Sequence, residues 1–591
     1  MIRNLFQQPA ALAAPAFVVL TGVFIVPMLW LFFTSLNAPR FSLVNYAAFV
    51  AQPANIRVLI QTIQMSFVST GLCIIIGYPA AYLIASASKR VRLTLIVLVV
   101  IPYLTSLLAR TYAWIVILGD RGLINSLILD AGLISSPLPL IYNRTAVYLG
   151  MVHIMLPVMI LPLVSVMIGI NRSLVEAARS LGAPPSTAFW RVFFPLSLSG
   201  LRSGSVLVFV LSLGFYITPA ALGGLRDAML SSFIAAQVTS SFNLGRIAAS
   251  AFVLLAIAVA VLSMVGLDLS GSPAEQSGKA SRSRFWRFLP GNLGRVWTAM
   301  VETRRAKAWE HNKFRGIGTG SRIRALGVAY LVSVMGFLLF PGLVIIVMSF
   351  SGGEYLEFPP SSLSFKWYLS FFTDPTWTGA LLTSLQVGLA VAFLSVLTGT
   401  LAAYGLSRTS PGTRRLVTLV ILTPITFPVI VVGIAAYLGL VKMGLVGTRI
   451  GIILAHTVGG LGYVVVIVSA TLANFDHRLE QAAKSMRAGP VRTFNRVTLP
   501  LILPGVIGGA VFAFIHSFDE VVISSLVSGL TIRTLPLKMW ENMRHEIDPT
   551  IAAVASLLIL LPVVWLIVLY GTWKGSVANR DFGHDATLSR Q

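Results

Sequence analysis

Charge is scarce in this chain. Only 11% of its 591 residues are charged while 56% are hydrophobic, with a mean hydropathy of +0.84, and that leaves too little polar surface to coat a soluble globule of this length. Acid is scarcer than base, at 20 Asp and Glu against 44 Lys and Arg. The single cysteine, Cys73, lies in an apolar run and excludes an intrachain disulfide. A phosphate-binding GxxxxGK[ST] loop is missing too. The nearest string, GSPAEQSGKAS from Gly271, has the wrong spacing and no strand before it, so the chain alone is not expected to hydrolyse ATP.

What is present is apolar length. Ala13 to Phe33, Ala325 to Phe350 and Ile551 to Tyr570 each reach the roughly 20 residues that cross a bilayer as helix. Apolar windows predict about twelve spans: Ala13 to Phe33, Ile63 to Ala85, Leu95 to Leu118, Val147 to Ile170, Leu201 to Leu222, Ile247 to Leu267, Ala325 to Phe350, Leu381 to Leu406, Leu416 to Leu438, Ile450 to Leu472, Ile502 to Leu526 and Ile551 to Tyr570. The fold class is therefore an all-α polytopic membrane protein. Basic residues gather in alternate loops, including Lys89, Arg90, Arg92, Arg172, Arg179, Arg191, Arg408, Arg414 and Arg415, whereas the opposite loops mix signs. The positive-inside rule makes the basic loops cytoplasmic, and an even number of spans puts both termini there as well.

The chain repeats itself. FSLVNY (Phe41 to Tyr46) faces LSFKWY (Leu363 to Tyr368), GYPAAY (Gly77 to Tyr82) faces GTLAAY (Gly399 to Tyr404), and Pro102 faces Pro424, all at one offset. After a longer loop in the first half the offset shortens, and LVEAARSLGAPPSTAFWRVFFPLSLSGL from Leu174 faces LEQAAKSMRAGPVRTFNRVTLPLILPGV from Leu479. Six spans separate the copies, so they run parallel about an axis normal to the membrane. The expected organisation is a first module over 1–269, a basic cytoplasmic linker over 270–324, a second module over 325–572 and a cytoplasmic tail over 573–591.

Between the fourth and fifth spans of each half, over about 171–195 and 476–500, lies a segment that is neither span nor ordinary loop. Glu176 to Leu181 forms a short helical run, Gly182 to Pro185 breaks it, and a second run from Ser186 reaches Pro195. An amphipathic connector lying on the membrane is the plain reading of one such segment, and recurrence argues for a docking element with an Ala-lined face. The segment resembles the Glu-Ala-Ala loop of ABC importer permeases, the coupling helix that docks on an ATP-binding subunit. Glu176, Ala177, Ala178 and Gly182 match the pattern. The second copy has Gln481, Ala482 and Ala483, with Arg487 where Gly stands, and Gly489 is expected to supply the turn.

The resemblance covers both halves and is nearest to polyamine-type (spermidine/putrescine) permease pairs fused in one chain, on RTYAWIVILGDRGLIN from Arg110, GFYITPAALGG from Gly214 and SFDEVVISSLVSG from Ser517. It implies two tandem six-helix modules of the type I ABC importer fold in a bacterial inner membrane. It further implies two copies of an ATPase subunit carrying ATP and Mg, a periplasmic solute-binding protein, and no cofactor on this chain. The cargo implied is a small organic cation such as a polyamine, with opines and phosphonates as alternatives.

Asp519 and Glu520 are expected deep in the apolar eleventh helix, where an ionised carboxylate costs on the order of 2.5 to 3.5 kcal/mol by insertion scales and is a functional candidate. Their counterparts are Gly214 and Phe215, with Tyr216 next, so one acidic and one aromatic wall suit an organic cation. The competing use is a carboxylate that caps a helix or pairs with an intramembrane base such as Arg110. His153, His456 and His516 are expected to bond between helices, with a proton relay as the alternative use. A secondary transporter of the major-facilitator kind shares twelve spans and parallel halves, but has no need of the duplicated helix-turn-helix; its Asp/Gly/Arg signature is absent from ASKRVRL and RTSPGTRRL. A lipid- or RNA-binding anchor would rest on the basic linker alone. That linker is more simply a tether lying against anionic headgroups, with no nucleic acid involved.

Overall fold

The computed structural model describes residues 9–240, 243–265, 317–353, 358–360, 362–545 and 548–564. The linker expected over 270–324 lies outside the described residues as far as 316, and the tail over 573–591 lies wholly outside them. The seventh helix, Ile317–Met348, begins before the expected end of the linker.

All twelve expected spans have a helical counterpart, but they are not twelve straight rods. Among the described residues ten helices are long and apolar enough to cross a membrane, and the pair Pro411–Thr426 and Val429–Lys442, bent by 101° at the break, passes the same test only when taken together. The last, Thr550–Val564, is shorter within the described residues.

The expectation of continuous third, fifth, ninth and eleventh spans is corrected. The third breaks between Lys89–Leu104 and Leu107–Leu118, and the ninth breaks at the corresponding place, before Val429. Phe427 is extended because it precedes Pro428, whose ring disfavours a helical neighbour. In the first half, the Thr105 hydroxyl donates to the Pro102 carbonyl at 2.7 Å and Ser106 caps the next helix. The fifth span stops at Leu213 and restarts as Ile217–Leu222; the eleventh stops at Phe518 and restarts as Val522–Val527. Asp519 and Glu520 therefore sit in a chain break, not within a helix.

Each half is built on the same triad. Pro53–Ser86, Arg144–Gly169 and Phe194–Leu213 pack together in the first; Pro375–Leu406, Arg449–Ala473 and Leu499–Phe518 pack together in the second. The opening helices are exchanged. Val26–Ser35 packs on Val429–Lys442, and Ile317–Met348 packs on Leu107–Leu118 and its neighbours. Gly439 makes the first exchange possible, since a Cβ there would collide with the Pro27 ring. In the second exchange, Tyr330 donates to the Ile76 carbonyl at 2.6 Å and His153 Nε2 lies 3.1 Å from the Leu338 carbonyl. The two modules are interlocked.

Candidate functional site

The two helix-turn-helix segments fold alike. Arg172–Ser180 and Arg478–Ser485 are followed by one-turn helices at Pro185–Ala188 and Pro490–Thr493. Each then passes through a π turn, Phe189–Phe193 or Phe494–Thr498, into the next span. In the first, the Gly182 N–H reaches the Arg179 carbonyl at 3.0 Å and the Ala183 N–H the Ala178 carbonyl at 3.1 Å. In the second, Arg487 and Ala488 make the same bonds to Lys484 and Ala483 at 2.9 and 3.0 Å.

This corrects one expectation. Gly489 does not make the turn; its φ is −67°, whereas Arg487 itself takes φ +58° where Gly182 takes +85°. A side chain in the left-handed region costs about 1 to 2 kcal/mol, which the second turn carries and the first avoids. No atom lies within 4 Å of a Cβ built on Gly182, so only the backbone conformation is at stake there. Gly182→Ala is expected to destabilise the first turn by about 1 kcal/mol and Arg487→Gly to stabilise the second by a similar amount. Amide hydrogen exchange across the two turns reads both effects.

Both helices present one apolar stripe away from the spans. Leu174, Ala177 and Leu181 are exposed in the first, Leu181 to 89%; Leu479, Ala482 and Met486 are exposed at equivalent positions in the second, Met486 to 78%. Ala178 and Ala483 turn inward, and Glu176 and Gln481 are exposed. The leucines and Met486 escaped the motif-based reading, although their spacing of three and four residues is the signal that finds them.

The halves differ in how this helix is held. In the second, Glu480 is buried and accepts hydrogen bonds from Arg408 and Thr498, while the Arg408 guanidinium lies 3.5 Å from the Tyr404 ring centroid. The first half has Val175, Ser86 and Phe193 at those places. There Tyr82 packs edge-on against Phe189 and Phe193, and Arg172 donates to the Ala85 carbonyl at 3.1 Å.

Burial pushes the Glu480 carboxyl up, but the bonds from Arg408 and Thr498 and the Arg408 charge push it down harder, so it sits below the ordinary glutamate range. A depressed pKa contributes stability that is complete above the ordinary carboxylate value and is lost as pH falls through the lowered one. Protection of the Arg478–Ser485 amides is expected to fall in that acid window and Glu480→Gln to remove the dependence. Arg408→Ala, which leaves a buried carboxylate without its counter-ion, is expected to loosen this helix by about 3 kcal/mol.

Deep between the halves the four chain breaks surround a cavity of about 320 Å³. Arg110, Phe215, Tyr216, Asp519 and Glu520, singled out from the sequence, all line it, joined by Tyr103, Tyr463 and His516. Glu520 is buried and its Oε1 accepts the Ile523 N–H at 2.9 Å, capping the restarted helix. Asp519 accepts a hydrogen bond from the Ser106 hydroxyl and, at Oδ2, from the Leu107 N–H at 2.9 Å. The expected alternative of a carboxylate pairing with Arg110 takes another form: Asp519 is a cap, and the buried Arg110 has its Nη1 without a hydrogen-bond partner among the described residues. His456 bonds between helices, its Nδ1 2.9 Å from Ser517 Oγ and its Nε2 3.1 Å from Ser524 Oγ. A smaller cavity of about 160 Å³ is lined by Tyr142, Ala220, Trp540 and Arg544 among others, and the Trp540 ring centroid lies 5.6 Å from that of Tyr216.

Two interlocked parallel modules, each with a protruding helix-turn-helix and a broken-helix wall around a shared central cavity, define a membrane permease in which one chain supplies both halves. The chain belongs to the family of binding-protein-dependent transport system inner membrane components, whose family model matches residues 73–269 and again 395–572. Among its relatives are the spermidine/putrescine transport system permease proteins PotB and PotC of Haemophilus influenzae. The first is 35% identical over 32% of this chain and 67% of its own length, and the second 30% identical over 41% of this chain and 93% of its own. The putrescine transport system permease protein PotI of Escherichia coli is 31% identical over 38% of this chain and 82% of its own length. The chain is thus a multi-pass membrane subunit of an ABC importer.

Proposed function

We propose that this chain carries a small organic cation, a polyamine or a related amine, through the central cavity, using ATP hydrolysed with Mg on two copies of a separate ATPase subunit. The observation that supports the cargo is the cavity itself, where the buried Glu520 and the aromatic rings of Phe215, Tyr216, Tyr103 and Tyr463 offer a cation both charge and π faces. A carboxylate has about four acceptor sites, and the Ile523 N–H uses one. The names of the relatives point to the same chemistry.

The two apolar stripes are the docking surfaces for the two ATPase copies, so the basic face and both termini are cytoplasmic, with Lys and Arg beside anionic headgroups. A solute-binding protein delivers cargo to the opposite face, into the smaller cavity beside Trp540 and Arg544. Membrane vesicles holding this chain with its ATPase and binding protein are expected to accumulate labelled polyamine only with internal ATP. Uptake without the ATPase, driven by a proton gradient, overturns the reading.

A further inference from the structure

Moving a solute between two halves requires them to part, so the contacts that cross the cavity from half to half must break and re-form. The four chain breaks meet there in two related pairs. In one pair the eleventh span of the second half meets the third span of the first: Asp519 takes the Ser106 hydroxyl on one oxygen and the Leu107 N–H on the other. In the other pair Gly214 stands where Asp519 does, and Pro428 and Val429 stand where Ser106 and Leu107 do. A Cβ on Gly214 would lie 3.3 Å from Pro428 Cα and 3.5 Å from the Val429 nitrogen, so backbone rests on backbone, and among the described residues no side-chain hydrogen bond joins the two. One contact, repeated by the internal symmetry, is polar on one side only.

The polar side is the stronger. Leu107–Leu118 is a twelve-residue helix whose first N–H groups lack intrahelical partners and whose dipole is positive at that end. A carboxylate that receives one N–H and one O–H there makes two charge-assisted bonds. Arg110 rides on the first turn of the same helix, so the cap also sets where its unpartnered guanidinium nitrogen lies in the cavity.

We propose that Asp519 is a positioning latch and not a ligand of the cargo: its carboxylate holds the broken third span against the eleventh across the boundary between halves, and its release from Ser106 and Leu107 accompanies their parting. The proposal rests on the transporter reading but not on the identity of the cargo. Its test therefore uses the assembled complex, with the ATPase bound and no cargo or binding protein.

Asp519→Ala is expected to raise cargo-free ATP hydrolysis or to shift the distance between spin labels on the two halves, by roughly tenfold in the ratio of the two states. Ser106→Ala, which leaves every charge in place, is expected to shift the same readings in the same direction by roughly threefold. Asp519→Asn, whose amide oxygen still accepts the Leu107 N–H, falls between Asp519→Ala and the unaltered protein. If Asp519→Ala does not assemble, Ser106→Ala and Asp519→Asn carry the test. Cargo-free hydrolysis and distances unchanged in all three overturn the latch. Cation uptake indifferent to Glu520→Gln, with the latch readings shifted as expected in the Asp519 and Ser106 variants, sinks the cargo assignment and leaves the latch standing.

Discussion

Glu520→Gln is expected to lower cation uptake roughly a hundredfold while the complex still assembles. Removing one partner of a desolvated charge pair costs about 2 to 5 kcal/mol, and each 1.4 kcal/mol is tenfold, so a hundredfold loss lies at the lower part of that range. Assembly is spared because Gln keeps the shape and an oxygen that accepts the Ile523 N–H, the bond that caps the restarted helix. Stability should move the other way. A carboxylate in the membrane interior is costly to maintain, about 2.5 to 3.5 kcal/mol by insertion scales, and neutralising it without losing the cap relieves part of that cost. The combined signature is decisive: uptake down with melting temperature unchanged or raised marks a pathway acid, whereas uptake unchanged with melting temperature raised marks a plain helix cap. Tyr216→Leu tests the aromatic wall. A single cation–π contact contributes about 0.5 to 2 kcal/mol, so a loss of roughly twofold to thirtyfold is expected.

That Glu520 and Asp519 would reach one cavity with Phe215, Tyr216 and Arg110 was readable from the repeat, because duplicated modules facing each other across an axis bring equivalent positions together. The form of the contact was not. Apolar windows register which residues tolerate lipid, and they run unbroken through Thr105, Gly214, Phe427 and Val521, where the backbone leaves the helix. Pro428 and Ser106 carried the local signals, a restricted preceding residue and a capping hydroxyl. Nothing local marks Asp519 as the partner of Ser106, since 413 residues separate them. The coupling turns show the opposite failure. The motif calls for a glycine, which points to Gly489, whereas the repeat register places Arg487 opposite Gly182, and Arg487 is the residue that takes the left-handed turn. The second turn is therefore not degraded in shape, and what distinguishes the halves is the anchor, Glu480 with Arg408 and Thr498 in one and an aromatic cluster in the other.

Equal turns with unequal anchors lead to the second large effect. The double variant Leu181→Asp with Met486→Asp is expected to abolish co-purification of the ATPase and reduce uptake to background. Each side chain is among the most exposed apolar groups on the basic face, and burying a residue of this size contributes about 1.5 to 3 kcal/mol. An aspartate adds a charge that the partner groove must desolvate without a counter-ion, so each site loses more than about 1.5 to 3 kcal/mol, over tenfold to a hundredfold in the binding of its own ATPase copy. The spans are not touched, because both side chains point away from them, and expression and melting temperature are expected to hold. The single variants decide whether both loops engage. If each copy of the ATPase sits on one stripe, either substitution alone leaves one copy bound and strongly impairs uptake, since transport needs both. Met486→Asp is then expected to leave the Arg478–Ser485 helix in place through its Glu480 anchor. Leu181→Asp, on a helix with no buried residue of its own, is expected also to raise amide exchange across Arg172–Ser180. A Met486→Asp chain that transports normally would confine coupling to the first half and overturn the two-copy arrangement.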